Sequence, residues 1–582
     1  MIEYGLTDQF KAATIAVLLA FLALGASLAG ASDTRDYART RSAPEGVASS
    51  AGADATKTNN LYGLVIGIND YASPIPTLDG AINDALDVAD ALKKRNAGKV
   101  WLLENKEVTR ANILANWQEL VKTAKPGDTV IVHLAGHGAR SPELIPGTGA
   151  KGLDEFFVLS NFQMDGPNTR ERIVNKEWGA MLRAAPQLKI VFVADTCHSG
   201  SMTRAFSPRK LKTRLLSRDA IIMQHDALPP PDPATWVVTP EQLSHVAFFG
   251  AVGQDEVDPE ILINEQPRGA LSWAVANGLR GEADLNKDGI VTKEELVTYV
   301  KNSVTTKTEG EQHPRITPGV IEITLTTTVK MTVAALPPSP PLLTMEFLRA
   351  TRVPPANLIQ GLRNVAMVEN GKAADLTWDV ADGKLRNQMQ DTLLFPDGAT
   401  AAVTPASETT RDYRRLSPPE MAVARDGTSD IPRIQAAIDK RQLALWLETL
   451  SASQPLTMEL SPRDVVQHKG DHAALTVSGN DYPFLTVINI GPSGNINLIY
   501  PITGDSLAVP KGQGYKMDMT ADGPFGAEHF VAIASETALT PLHTGLAAID
   551  GKPQIDEFKR LVLAALRDTK YQMGIHAVFT SP

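Results

Sequence analysis

The stretch Lys189–Gly200, KIVFVADTCHSG, decides how the rest of the chain is read. Ile190-Val191-Phe192-Val193-Ala194 is an unbroken apolar run rich in β-branched and aromatic side chains. A run without alternation predicts a parallel strand buried on both faces. Asp195-Thr196-Cys197-His198-Ser199-Gly200 follows at once, at the carboxyl end of that strand, where open α/β sheets place their chemistry. Cys197 is the only cysteine of the chain, so it has no internal disulfide partner. On residue type alone a lone cysteine reads as a small buried hydrophobe, and any stronger reading has to come from elsewhere in the chain.

Outward from this strand the same grammar repeats. Leu61–Ile68 (LYGLVIGI) is a first buried strand, and 79–92 places apolar residues at helical spacing. Val100–Leu103 is a short strand. Thr109 is a predicted N-cap for a helix to about Ala124, and Pro126-Gly127-Asp128 turns into a buried strand over Thr129–Leu134. That strand ends in Ala135-Gly136-His137-Gly138. Further strands are expected at 156–159, 245–252 and 320–325, with helices at 176–183, 269–279 and from 291 through Tyr299. Strands alternating with helices predict an α/β domain with a parallel, doubly wound sheet over 61–330.

Residues 201–243 break the pattern. They are first basic (Arg204, Arg209, Lys210, Lys212, Arg214, Arg218) and then proline-rich, and predict a long exposed loop. Leu336-Pro337-Pro338-Ser339-Pro340-Pro341 marks a domain boundary, with 331–430 read as linker and poorly patterned sequence. From 431 to 582 an amphipathic helix precedes β-type sequence. There the runs LTVINI and INLIY flank Gly491-Pro492-Ser493-Gly494-Asn495 and predict a hairpin.

At 582 residues the chain calls for two or three domains, and its 43% hydrophobic and 21% charged content is that of a globular protein. A net charge of −10 argues against a nucleic-acid surface. At the N-terminus Lys11 precedes the apolar run Ala12–Leu28, and Ala29-Gly30-Ala31 offers a small-residue cleavage site. Residues 1–31 therefore read as a signal peptide and 32–60 as a flexible linker, giving a periplasmic or secreted protein. An uncleaved membrane anchor is the alternative, because the run is nearly long enough to span a bilayer.

His137 gives Cys197 its chemistry. Both lie just past buried strands, so in neighbouring parallel strands the two side chains converge on one rim. A thiol needs an adjacent base to act as a nucleophile, and imidazole supplies one. The glycines around His137 let the chain turn and bring a backbone N–H near a substrate, so Gly138 and Cys197 are candidate oxyanion donors.

At these residues the chain resembles the caspase-like cysteine peptidases, in the metacaspase and bacterial caspase-like branch. The pieces that carry the resemblance are LYGLVIGINDY, LDGAINDALDVADAL, VIVHLAGHG, GLDEFFVL and VADTCHSG, in order across about 61–325. The resemblance implies a mostly parallel six-stranded caspase-type sheet flanked by helices, with His137 as base and Cys197 as nucleophile. Ala135 departs from it, standing where metacaspases often have serine. By the same resemblance Asp84 and Asp195 line a pocket for an Arg or Lys before the scissile bond, and a partly buried carboxylate does need a cationic partner. The alternative for Asp84 is pairing within its own helix. The basic window 204–218 matches such a pocket and is a candidate for self-cleavage.

The segment 284–295, DLNKDGIVTKEE, follows the pattern of a calcium loop. Asp284, Asn286 and Asp288 offer side-chain oxygens, Gly289 makes the sharp turn, Ile290 gives a backbone carbonyl, Thr292 fills the ninth position and Glu295 the twelfth. The C-terminal region resembles a β-rich, sandwich-like domain of unknown function often appended to bacterial caspase-like domains, on YPFLTVINIGPSGNINLIYP and GPFGAEHFVAIAS. Glu528 and His529 read as surface residues. The chain is thus expected to be an exported, calcium-binding, monomeric endopeptidase acting on proteins or peptides with a basic residue before the cut. The alternative from another class is a non-catalytic, calcium-stabilised binding scaffold.

Overall fold

The computed structural model describes residues 60–149, 151–196, 214, 216, 220–252, 258–286, 288–317, 319, 324–326, 342–348, 361–369, 374–379, 384–388, 431–462, 466–502 and 504–582. The expected leader, most of the linker after it, and Cys197 lie outside them.

The chain runs β1 (Leu61–Gly67), α1 (Ala81–Lys94), β2 (Lys99–Glu104), α2 (Arg110–Thr123), β3 (Thr129–Ala135), β4 (Gly138–Pro142), β5 (Leu153–Val158), β6 (Arg172–Val174), α3 (Asn175–Arg183) and β7 (Lys189–Asp195). After it come α4 (Pro233–Trp236), β8 (Val246–Gly250), β9 (Ile261–Ile263), β10 (Gln266–Arg268), α5 (Ala270–Asn277), β11 (Ile290–Thr292), α6 (Lys293–Lys307), β12 (Arg315–Thr317) and β13 (Thr324–Thr326). The central sheet has six strands in the order β12-β8-β7-β3-β1-β2. It is parallel except for β12, which runs antiparallel to β8.

Every residue of β1 and β3 is buried, because helices cover both faces. Val88 and Leu92 of α1, Leu271 and Val275 of α5, and Val300 and Val304 of α6 pack against one face. Ile113, Trp117 and Leu120 of α2 with Trp178 and Leu182 of α3 pack against the other. Thr109 caps α2 by accepting the Asn112 N–H, as its position before the apolar period predicts. A small antiparallel sheet in the order β4-β5-β6 stands beyond the carboxyl end of β3.

Three expectations change. The sixth strand of the main sheet is β12, not 320–325; Thr324–Thr326 pairs with β11 instead. An edge strand three residues long with the half-buried Ile316 at its centre shows no periodicity, whereas VIEITL does. The stretch read as linker and poorly patterned sequence carries four strands, Leu343–Leu348, Val365–Met367, Leu376–Asp379 and Lys384–Arg386, in one sheet. Each is too short and too far from the next to be read in one dimension. Their core is completed by Ile434 and Ile438 of the long helix Ile431–Ser453. Finally, the described part of the loop 201–243 is not simply exposed, since Arg214, Ile221 and Leu228 are all buried.

The C-terminal region is β-rich and layered. A five-stranded sheet contains the expected hairpin, Phe484–Ile490 with Ile496–Tyr500. One face packs against helices Ile431–Ser453, Thr540–Ile549 and Ile555–Leu566. The other packs against a three-stranded sheet built from Thr457–Ser461, His472–Ser478 and Tyr515–Thr520. No helix among the described residues is long and apolar enough to cross a membrane.

Candidate active site

Strands β3 and β7 are neighbours in register, with Ala135 opposite Asp195. His137 therefore follows one strand by two residues, and Cys197 would follow the other by two. Cys197 itself is outside the described residues. His137 is 2% exposed and held from several sides. Its N–H donates to the Tyr71 hydroxyl at 2.8 Å, and the two rings lie 4.8 Å apart between centroids. Nε2 lies 2.9 Å from the Pro76 carbonyl oxygen. A carbonyl only accepts, so Nε2 carries the proton and Nδ1 of the neutral ring is the basic nitrogen. Gly136 has φ +157°, and a Cβ there would come within 2.6 Å of the Tyr71 hydroxyl. A side chain at 136 would push away the group that positions His137.

Next to it, the Gly138 N–H points at a carbonyl oxygen, that of Arg214, at 2.8 Å. The Arg214 N–H donates to the Asp258 carbonyl oxygen at 3.2 Å. Its side chain, 0% exposed, enters a pocket of carboxylates. Asp84 is in direct contact with the guanidinium, Asp195 pairs with it at 2.9 Å, and Glu260 lies at 3.5 Å. The two acids expected to line a cation pocket are thus brought together around a cation, and Asp84 pairs outside its own helix.

The pocket is fastened by backbone and buried side chains. The Gly269 N–H donates to the Asp84 carboxylate at 3.0 Å. Glu260 accepts from the N–H groups of Asp79 and Gly80, each at 2.8 Å. Ser272 donates both its N–H, at 2.9 Å, and its hydroxyl to Asp195, and the hydroxyl also meets His133 Nε2 at 2.8 Å. Burial opposes charge throughout this pocket. It pushes the Asp84 carboxyl up to about 8 against the pull of Arg214. Burial and then the Asp195 charge push Asp258 well up. Burial opposes the Asp195 charge too, but Arg214 outweighs it and holds that carboxyl below the usual range. For Arg214 the surrounding carboxylates outweigh burial and keep the guanidinium firmly charged. Burial lowers His133 to about 4, so it stands in the pocket wall as a neutral ring.

The segment 284–295, where a calcium loop was expected, is held by bonds within itself. Gly289 adopts φ +84° and donates to Asp284 Oδ2 at 3.0 Å. Asn286 Oδ1 accepts from the Asp288 N–H at 2.9 Å, and Asp288 Oδ1 from the Ile290 N–H at 2.8 Å. Glu295 starts α6 in a capping box with Thr292 and reaches back to the Asn286 N–H at 3.3 Å. The side-chain groups that could hold a cation here are oxygens, which would suit a hard ion. Among the described residues no three His, Cys, Asp or Glu side chains are gathered closely enough to grip a metal ion. The carboxylates of the loop are engaged with its own N–H groups, so a cation would have to draw them inward.

Sequence reasoning missed Pro76, Asp258, Glu260, Ser272 and the seat of Arg214. Asp258 and Glu260 follow closely on the strand expected at 245–252, and acidic residues after a strand were the available signal. Pro76 acts through its carbonyl, which leaves no mark on residue type. Glu528 and His529 are corrected: they are 5% and 0% exposed, inside the C-terminal sheet.

Residues 62–321 match the caspase domain family. Metacaspase-1B of Aspergillus terreus (strain NIH 2624 / FGSC A1156) is 26% identical over 249 residues, which are 40% of this chain and 64% of that protein. Metacaspase-1 of Cryptococcus neoformans var. neoformans serotype D (strain JEC21 / ATCC MYA-565) is 34% identical over 154 residues, 25% of this chain and 32% of its own. The chain thus spans from about a third to just under two thirds of the length of these relatives. Among solved structures, the crystal structure of protein GSU0716 from Geobacter sulfurreducens aligns over 46% of this chain and 95% of its own at 17% identity. Its TM-score of 0.33 carries no argument.

Proposed function

With residues 62–321 a caspase domain similar to those of metacaspases, we propose that this protein is a cysteine endopeptidase cutting protein substrates after arginine or lysine. The observation that carries this reading is the seat of Arg214. Its guanidinium lies among Asp84, Asp195 and Glu260 while its carbonyl oxygen accepts the Gly138 N–H. That is the posture a scissile residue needs, with its side chain recognised and its carbonyl polarised.

In this mechanism His137 Nδ1 takes the Cys197 proton and the sulfur bonds to the carbonyl carbon. The carbonyl pair moves onto oxygen, stabilised by the N–H groups of Gly138 and Cys197. As that pair returns, the C–N bond breaks and the leaving amine takes the proton from His137. Water, giving a proton to His137, then adds to the thioester; the C–S bond breaks, the thiol regains that proton from His137, and a carboxylic acid leaves, losing its proton to solvent. Pro76 and Tyr71 are positioning residues for the base.

The same reading makes the Arg214–Leu215 bond the self-processing site within the 204–218 window. Calcium, held by Asp284, Asn286, Asp288, Ile290, Thr292 and Glu295, would supply a fixed charge that ties the loop to the start of α6. We also read the protein as exported and monomeric, from its N-terminal apolar segment and the family resemblance. A thiol-reactive arginyl probe tests the whole against the scaffold alternative. Labelling of wild type and none of Cys197→Ala supports the peptidase; an unlabelled wild type, or a Cys197→Ala variant that hydrolyses equally well, leaves the scaffold.

A further inference from the structure

Beyond the pocket for the basic residue, Arg214, Leu216 and Ile221 bond to backbone groups of β4, which also pairs with β5. Gly138 donates to the Arg214 carbonyl at 2.8 Å and accepts the Leu216 N–H at 3.0 Å, the bonding pattern of a parallel bridge. Farther on, the Ile221 N–H donates to the Arg140 carbonyl at 2.7 Å. Leu216, half-buried, packs against an apolar cluster that includes Ala139, Phe156, Val158, Phe162 and Ile221, with Tyr71 beside it. One glycine therefore bonds the carbonyl of the basic residue and, two residues later, the chain at a second apolar seat.

We propose that the active site reads the second residue beyond the cut, through a subsite on β4 that takes a large apolar side chain and rejects an acidic one. This rests on the peptidase reading above. A substrate that replaces the 214–216 segment makes the same two bonds to Gly138, which fixes the register. Its second residue after the cut then faces Ala139 and Phe156. An aspartate there loses water among apolar side chains. The residue between the two anchored positions is not discriminated by this cluster.

The test uses internally quenched peptides with one arginine followed by serine and then Leu, Met, Ala or Asp. They are assayed with full-length wild type and with full-length Arg214→Ala, in which no guanidinium of the chain itself competes at that seat. The kcat/KM is expected to fall about fivefold or more from Leu to Ala and further to Asp, with Met close to Leu. Rates within twofold across the series, with cutting after arginine intact, overturn the subsite and leave the peptidase standing. No cutting of any peptide by either protein overturns both. In the chain itself Leu216→Asp should slow self-cleavage and Leu216→Met should not; equal rates count against the subsite.

Discussion

Gly138 and Arg214 are joined by a 2.8 Å hydrogen bond from the glycine N–H to the arginine carbonyl oxygen, 76 positions apart in the chain. It sets a carbonyl of the protein itself against a proposed oxyanion donor while the arginine side chain fills the acidic pocket. Under the proposed function this is the pose of a basic residue before a cut.

Self-cleavage is expected between Arg214 and Leu215. Purified wild type should yield two fragments, the second beginning at Leu215 by N-terminal sequencing, and Cys197→Ala should stay whole. Arg214→Gln should lose this cut and Arg214→Lys keep a slower one. Removing the cation also strands buried carboxylates, with an expected destabilisation of roughly 3–5 kcal/mol. A new N-terminus elsewhere in the window would displace Arg214 from this role.

The pocket should make substrate affinity depend on pH. Burial pushes the Asp84 carboxyl up to about 8. As pH rises through that value the group loses a proton, gains negative charge and attracts a guanidinium more strongly. The KM for an arginine peptide should fall between about pH 7 and about pH 9, and Asp84→Asn should flatten the curve while raising KM by tenfold or more, at about 1.4 kcal/mol per tenfold. An unchanged KM profile in Asp84→Asn would remove the residue from recognition.

Calcium should stabilise the fold through the 284–295 loop. At a concentration of about 100 times its dissociation constant the expected gain is about 2.7 kcal/mol, read as a higher melting temperature. Glu295→Gln should abolish most of that shift without altering the calcium-free melting point greatly. If millimolar calcium leaves wild type unmoved, the loop holds no calcium.

The buried His529 predicts an acid-sensitive C-terminal region. Burial, followed by the charge of Lys440, lowers its imidazole from 6.5 to about 3. Between those values the unfolded chain binds a proton that the folded one does not. Stability contributed by keeping this ring neutral is complete above about pH 6.5 and is lost as pH falls toward 3, by an amount on the order of 3–5 kcal/mol. Urea unfolding of His529→Gln between about pH 7 and about pH 4 should show a shallower loss than wild type. Identical slopes would mean that another group carries the effect.

Much of the α/β domain is legible in one dimension. Buried parallel strands are continuous apolar runs, so Leu61–Gly67, Thr129–Ala135 and Lys189–Asp195 stand out. Residues just past such strands are expected on one rim, which singles out His137 and Cys197 together in the sequence. The pattern proposed to bind calcium is equally local, because its candidate ligands and its turn glycine follow one another within twelve positions.

The tertiary structure alone decided what has no local period. Arg214 looked like one of several solvated cations, and only the convergence of Asp84, Asp195 and Glu260 from three separate segments makes a buried seat for it. Pro76 orients His137 through a carbonyl that every residue type carries. The four short strands between 343 and 386 gain their core from Ile434 and Ile438, far along the chain. His529, read with Glu528 as a surface residue, is enclosed by sheet pairing. Residue type and spacing report the groups a short segment can offer. Burial and charge balance depend on which distant segments meet, and so appear only once the chain has folded.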